Sequence, residues 1–133
     1  MRFRRITIVQ APAPTQREVN EQLQWLGGSL GLFNERDKDK SCFRIFITLL
    51  RSAKRREELT SDELAALTGL SRGTVVHHLN RLMSAGIVES YRSRYVLRVD
   101  SLEGLVAKLG EDLDRTLASL KEIAAEIDRK LSP

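Results

Sequence analysis

The chain has 133 residues, with 22 lysines and arginines against 18 aspartates and glutamates, so its formal net charge is +4 and its pI is near 9.6. The 41% apolar and 30% charged content is typical of a globular protein with one core, and it excludes a wholly disordered chain. No apolar stretch approaches the roughly 20 residues that a membrane span needs, and we expect a cytoplasmic protein with no membrane partner.

Residues 1–36 are predicted to form an N-terminal extension. Its first part, Phe3 to Val9, is rich in β-branched residues and predicts an edge strand. A proline-rich stretch then interrupts any regular element. Thr15 and Glu18 have the spacing of a capping box, and they predict a helix that ends at Gly27-Gly28.

A central buried helix is predicted after a charged loop from Asn34 to Lys40. Ser41 to Ala53 is apolar almost all round, so neighbouring elements must cover it. The basic residues from Arg51 to Arg56 lie at its C-terminal end. They complement the helix dipole or contact phosphate, and we favour the dipole interpretation.

Two more helices follow, each opened by an N-cap. Thr60 and Glu63 form a capping box for a helix over Ser61 to Thr68, which has Leu64, Ala65 and Leu67 available for packing and which Gly69 ends. Ser71 caps the next helix, which runs to about Ala85 before Gly86. Its predicted buried face consists of Val75, Leu79 and Leu82.

A β-hairpin is predicted next. Ile87 to Tyr91 and Tyr95 to Val99 are β-branched and aromatic segments joined by Arg92-Ser93-Arg94. Two helices joined by a short turn and followed by a hairpin form a winged helix-turn-helix. We therefore predict a mainly α fold with a small β-hairpin. A winged helix-turn-helix over residues 37–99 would be flanked by the N-terminal helical extension and a long C-terminal helix.

Residues 100–133 are predicted to form that last helix, capped by Asp100 with Glu103 and ending near Leu131. About 30 helical residues would span about 45 Å, more than the width of a small domain. Much of the helix must therefore pack against a second subunit or the N-terminal helix, and we predict a homodimer, with a coiled coil as the contact. The apolar stripe consists of Leu113, Leu117, Leu120, Ala124, Ile127 and Leu131.

Positive charge is concentrated in residues 71–98, which carry five arginines and one acidic residue, Glu89. Residues 99–133 carry five basic and eight acidic side chains. A basic segment beside an acidic tail favours a polyanionic partner.

The exposed face predicted for the helix after Ser71 suits a DNA major groove. Small residues and hydrogen-bonding groups let a helix enter the groove and contact base edges, and its N-terminal N–H groups can meet a phosphate. A solvated surface helix is the alternative interpretation of the same face. This face consists of Gly73, His77, Asn80, Arg81 and Ser84, with Thr74 and His78 at its flank and with Ser71 and Arg72 at the start of the helix as further candidate DNA contacts.

The stretch from Leu59 to Val99 resembles the winged helix-turn-helix of bacterial and archaeal regulators of the ArsR and MarR kind. The similarity is carried by Leu70-Ser71, Thr74-Val75, His77-His78-Leu79, Leu82 and Ala85-Gly86-Ile87-Val88. The helix that begins at Ser41 and the long final helix also fit the family's arrangement, and they resemble those of archaeal ArsR-like members that have helical dimerisation elements. Val76 departs from the pattern, where a small polar residue is usual.

The resemblance implies that Arg72, Gly73, Thr74, His77 and Asn80 lie at the groove. It also implies that the wing arginines, Arg92 and Arg94, contact phosphate or the minor groove.

Metal and enzyme sites are not predicted. Metal-sensing members of the family carry paired cysteines before the recognition helix, or carboxylates and histidines on the final helix, and neither set is present. Cys42 is expected to be a small buried core residue. His77 and His78 are adjacent and point about 100° apart on a helix, so they do not form a metal pair. No phosphate loop or nucleophile motif is present, and no cofactor is expected.

Two hypotheses follow for the function. The first is a dimeric, sequence-specific regulator of transcription that binds double-stranded DNA. The alternative is a winged-helix module for protein interactions within a transcription or chromatin assembly, since fold alone does not decide function.

Overall fold

The computed structural model describes residues 4–33 and 40–133. The predicted fold class is confirmed: helices surround a small antiparallel sheet, and a long helix ends the chain. In sequence order the elements are α1 (Val19–Ser29), α2 (Ser41–Lys54), β1 (Leu59–Thr60), α3 (Ser61–Thr68), α4 (Arg72–Ser84), β2 (Val88–Tyr91), β3 (Arg94–Leu97) and α5 (Leu102–Leu131).

The N-terminal segment, residues 4–9, is extended but is not a strand. Its backbone bonds two helix ends instead of a neighbouring strand. The N–H of Arg5 donates to the carbonyl of Ser84 (2.8 Å), and the N–H of Val9 donates to that of Ser29 (2.7 Å). The predicted edge strand is therefore wrong for these residues, and Phe3 lies outside the described residues.

Helix α1 begins and ends later than the sequence predicts. Glu18 is its N-cap and makes no side-chain capping bond, so the predicted capping box with Thr15 is wrong. The helix passes through Gly27 because this glycine packs closely on α2: a Cβ atom there would lie 3.0 Å from the Phe43 ring. Gly31, with φ of 72°, provides the turn that ends the helix.

Helix α2 is the central core helix, as predicted. Ile45, Phe46 and Leu49 are fully buried, and Cys42 is buried at the N-terminal end. Burying this many large side chains on one helix requires neighbours on several sides, which α3, α4 and β3 provide. The predicted charged loop before α2 lies outside the described residues, apart from Lys40.

The capping predictions for α3 are confirmed. The Thr60 hydroxyl accepts the N–H of Glu63 at 3.1 Å, and the Glu63 carboxylate accepts the N–H of Thr60 at 3.1 Å. Gly69, with φ of 71°, follows the helix. Leu64 and Thr68 form the buried face, but Leu67 is 65% exposed, because it lies to one side of that face and not on it.

The hairpin is tighter than predicted. Tyr91 pairs with Arg94, so the turn consists of Arg92 and Ser93 alone, both with positive φ (52° and 63°). A third strand, β1, pairs with β3 and gives the sheet order β1-β3-β2. Sequence analysis missed β1 because two residues carry no readable periodicity.

Helix α5 has two different halves. Its N-cap is Ser101, which accepts the N–H of Gly104 at 3.0 Å, so the predicted cap by Asp100 with Glu103 is wrong. Leu105 and Leu109 are buried in the core. From residue 114 onward nearly every residue is exposed, including most of the predicted stripe. Within the described part of the chain, no helix has the length and apolar content to cross a membrane.

Candidate nucleic-acid interface

The orientation of α4 is set by its buried side. Val75 and Leu79 have no exposed surface, and Leu82 has 1%. At the N-terminus the Ser71 hydroxyl accepts the N–H of Thr74 at 3.2 Å, which satisfies one of the free donors of the first turn. Two predictions, the cap and the packing face, are thereby confirmed. The side of α4 away from these three residues is consequently exposed at Arg72, Gly73, His77, Asn80 and Arg81.

The exposed side carries most of the residues selected from the sequence. Arg72, Gly73, His77, Asn80 and Arg81 are all exposed, and they lie on one side of α4. This side has three kinds of group at one surface: guanidinium cations, an amide and an imidazole. Such groups donate and accept hydrogen bonds to base edges and phosphates.

His78 does not lie on the exposed side of α4. It is 7% exposed, and its ring meets the His77 ring edge-on with centroids 5.2 Å apart. His78 follows Val75 by three residues and precedes Leu82 by four, so it is on the same side of the helix as the core residues. Thr74 is half-buried near the cap. The structure therefore separates His78 from the exposed side where the sequence grouped it.

Gly73 is open to solvent. A Cβ atom at this position would meet nothing within 4 Å, and the backbone is helical. The fold itself therefore does not need a glycine here, although a glycine lowers helix stability. The absence of a side chain in the first turn leaves the backbone accessible to a molecule that approaches from outside.

The wing extends from the same domain. Arg92 is at the tip of the β2–β3 turn, with its guanidinium 5.3 Å from the centre of the Tyr91 ring. Tyr91 is 66% exposed, so this cation–π contact is at the surface. Arg94, on β3, lies 3.8 Å from the Glu63 carboxylate. Hydrogen bonds from Thr60, more than this arginine, lower the pKa of Glu63.

Ion pairs reduce the number of arginines that are available to a polyanion. Arg72 lies 3.5 Å from Asp62, with both side chains largely exposed, and such pairs contribute little to stability and are easily exchanged for another anion. Arg98 forms an ion pair with Asp112. Within residues 4–33 and 40–133, Arg81 and Arg92 have no acidic partner. Guanidiniums without an acidic partner are therefore present both on α4 and at the wing tip.

An ionic cluster around the buried carboxylate of Asp112 joins α5 to the residue that follows the wing, and the sequence did not predict it. Asp112 is 5% exposed and contacts Arg98 (2.5 and 3.3 Å), Arg4 (2.8 Å) and Arg115 (2.5 Å). The hydrogen bond with Arg98 lowers the pKa of Asp112 and raises that of Arg98. One sequence signal was available: Asp112 lies three residues after Leu109, on the same buried side of the helix.

Comparison with known families addresses this same part of the chain. Residues 48–90 match the family model described as bacterial regulatory protein, arsR family. The matched segment begins within α2 and ends within β2, so it contains α3, α4 and the start of the hairpin. This match supports an ArsR-like, DNA-binding regulator of transcription. No curated protein matches the chain.

Among the described residues, no group of three or more His, Cys, Asp or Glu side chains is arranged to hold a metal ion. The location where family members carry paired cysteines is on α3, and it holds Leu64, Ala65, Ala66 and Leu67.

Proposed function

We propose that the protein is a dimeric, sequence-specific regulator of transcription that binds double-stranded DNA. The observation that carries the proposal is the exposed side of α4, with Gly73, His77, Asn80 and Arg81, within a segment that matches the arsR family. A regulator of this kind acts in the cytoplasm and needs no catalytic group. The archaeal relationship stays a prediction.

In the proposed complex, α4 lies in the major groove. Its first turn, from the Ser71 cap to Thr74, faces a phosphate with its backbone N–H groups and Arg72. Asn80 and His77 reach base edges, and an asparagine amide is suited to pair with adenine. His78 is left out of this contact surface because it is buried.

The wing supplies contacts with the DNA backbone. Arg92 has no acidic partner among the described residues, and its position at the turn lets it reach a phosphate or the minor groove. Arg94 would exchange its weak 3.8 Å pair with Glu63 for a phosphate. Wing contacts of this kind add affinity and register without selecting a base.

The exposed half of α5 is the proposed dimer contact. Its apolar side chains are 45–76% exposed, which is unusual for residues of this size along one stripe. Two such helices from two copies would cover each other's stripe as a coiled coil. The exposed large members of the stripe are Leu117, Leu120, Ile127 and Leu131, while Leu113 is half-buried, and Ile123, outside the predicted stripe, is also exposed.

A titration series tests DNA binding. Genomic duplex fragments retained by the full chain would be sequenced, and the best fragment compared with a scrambled duplex at about 50 and about 200 mM salt. We expect the selected fragment to bind at least about 10³-fold more tightly than the scrambled one, with a steep loss of affinity at higher salt. Arg81→Ala should weaken binding.

Arg129→Ala is the matched control, because it removes the same charge from the far end of α5 and should leave binding unchanged. Equal, weak and sequence-independent binding by the wild type and Arg81→Ala would contradict the proposal. A chain that stays monomeric and retains an unrelated protein in place of DNA would favour the alternative, a module for protein interactions whose partner covers the α5 stripe.

A further inference from the structure

A cleft lies between the N-terminal segment and α4. It has a volume of about 640 Å³, and four parts of the chain form its walls: residues 4–7, the connection after α1, Cys42 in the first turn of α2, and the C-terminal half of α4. The N-terminal wall is fixed in place by the bond from Arg5 to the Ser84 carbonyl, and Thr7 lies against Gly31. The cleft is therefore a formed feature of the fold.

The lining combines an apolar floor with a basic rim. Leu30 and Ala85, both half-buried, provide apolar surface, and the buried core residues Leu32 and Leu82 also border the cleft. No aspartate or glutamate is among the described residues that line it. The rim carries Arg5, His77, Asn80 and Arg81.

The charges at the rim are not all equivalent. Arg4 also borders the cleft, but its guanidinium is held by Asp112 at 2.8 Å. Arg5 and Arg81 have no acidic partner in the described parts of the chain. Two cations without counter-charges beside an apolar floor form an environment that attracts one chemical class, an organic anion with an apolar body.

We propose that this cleft binds a small aryl or alkyl carboxylate or sulfonate, whose anionic group pairs with Arg5 and Arg81 and whose apolar body covers Leu30 and Ala85. Three residues of the rim, His77, Asn80 and Arg81, also belong to the exposed side of α4. Building on the proposed function, the bound anion occupies the groups that DNA needs, so ligand and DNA weaken each other's binding by the same factor.

The first test uses no DNA. Anilinonaphthalene sulfonate, an aromatic monoanion that fluoresces when bound to apolar surface, is titrated into the full chain. We expect the dye to bind at one site per chain, with an affinity that depends on Arg5. Arg5→Gln and Arg81→Gln should each raise the Kd about three- to fivefold, the effect of losing one partly exposed ion pair.

Two controls distinguish this cleft from other apolar surface. Arg129→Gln removes the same charge far from the cleft and should leave the Kd unchanged. Phenylnaphthylamine has a closely similar apolar body without the sulfonate, and its binding should not depend on Arg5. Dye binding that is equal in the wild type and Arg5→Gln overturns the proposal, because the dye would then report the α5 stripe.

The second test adds the selected DNA duplex. Displacement of the dye, with an equal loss of DNA affinity in the presence of dye, supports the shared rim. Simultaneous binding with both Kd values unchanged overturns the coupling. If the chain binds no DNA at all, the first test still decides whether the cleft takes an anion, so the two failures are distinguishable.

Discussion

Arg98, which follows the wing strand β3, holds the carboxylate of Asp112 on α5 through two contacts of 2.5 and 3.3 Å. Arg98 is 14% and Asp112 5% exposed, so the pair is shielded from water. Arg4 adds a third contact from the N-terminal segment. One carboxylate thus joins three parts of the chain that are distant in sequence.

Removing this carboxylate should destabilise the protein. Asp112→Asn leaves Arg98 half-satisfied in a shielded position, and we expect a loss of about 2 kcal/mol in the free energy of unfolding. Urea denaturation followed by circular dichroism measures this. Asp114→Asn, two residues further on and exposed, is the matched control and should change the free energy by less than about 0.5 kcal/mol. Equal stability of both variants would show that the cluster contributes nothing.

The same carboxylate predicts a dependence on pH. The pKa of Asp112 is lower in the folded protein than in the unfolded chain, where it is about 3.9. The carboxylate's contribution to the free energy of unfolding is therefore fully present above its pKa in the unfolded chain. It is lost as the pH falls through its pKa in the folded protein. The stability difference between the wild type and Asp112→Asn should be constant above about pH 5 and shrink below about pH 4. A difference that grows on acidification would contradict this sign.

The wing turn stores backbone strain. Ser93 has φ of 63°, a conformation that costs a residue with a Cβ atom about 1 kcal/mol. Ser93→Gly should therefore stabilise the protein by about 0.5 kcal/mol after the entropy cost of glycine in the unfolded chain. Thermal unfolding provides the measurement. Ser90→Gly in the extended strand β2 is the control and should destabilise instead. A lower stability of Ser93→Gly would reject this description of the turn.

Substitutions at Asn80 and Arg92 should distinguish contacts with DNA bases from contacts with the DNA backbone. Asn80→Ala should weaken binding to the selected duplex by about 1–3 kcal/mol and leave binding to a scrambled duplex almost unchanged. Arg92→Ala should weaken both complexes alike and reduce the salt slope by about one. Fluorescence anisotropy at several salt concentrations measures both effects. The assignment fails if Asn80→Ala affects the two duplexes equally.

The exposed stripe of α5 predicts the oligomeric state. Leu120→Glu places a charge in the proposed contact and should convert a dimer into a monomer in analytical ultracentrifugation. Ser119→Glu introduces the same charge at the neighbouring position off the stripe, so it should remain dimeric. A wild-type chain that sediments as a monomer at all concentrations would exclude the homodimer.

The sequence predicted the features of the fold that depend on neighbouring residues. The capping box of Thr60 with Glu63 and the cap of Ser71 involve side chains three residues apart, so their spacing alone identifies them. The helices α3 and α4 were placed correctly for this reason. Periodicity likewise predicted the buried face of α4, from Val75 to Leu82.

Features that depend on distant residues could not be predicted in the same way. Gly27 was expected to end α1, but the Phe43 ring packs on it from another helix. His78 lies at the border of the α4 face, and only the packed neighbours decide that it is buried. From the sequence, Asp112 belonged to the acidic C-terminal segment, but three arginines contact it in the structure. Arg4 and Arg98 are distant in sequence, and Arg115 is one helical turn away.

Helix α5 continues without a break from the Ser101 cap to Leu131, and the cluster at Asp112 clamps its first part to the wing. A rigid rod of 30 residues is about 45 Å long, so a tilt of about 10° at one end moves the other by about 8 Å, a distance comparable with the 12 Å width of a major groove. The helix is in this sense a lever arm. In the proposed dimer, a molecule bound to the outer end of α5 would therefore change the distance between the two copies of α4 without contacting either.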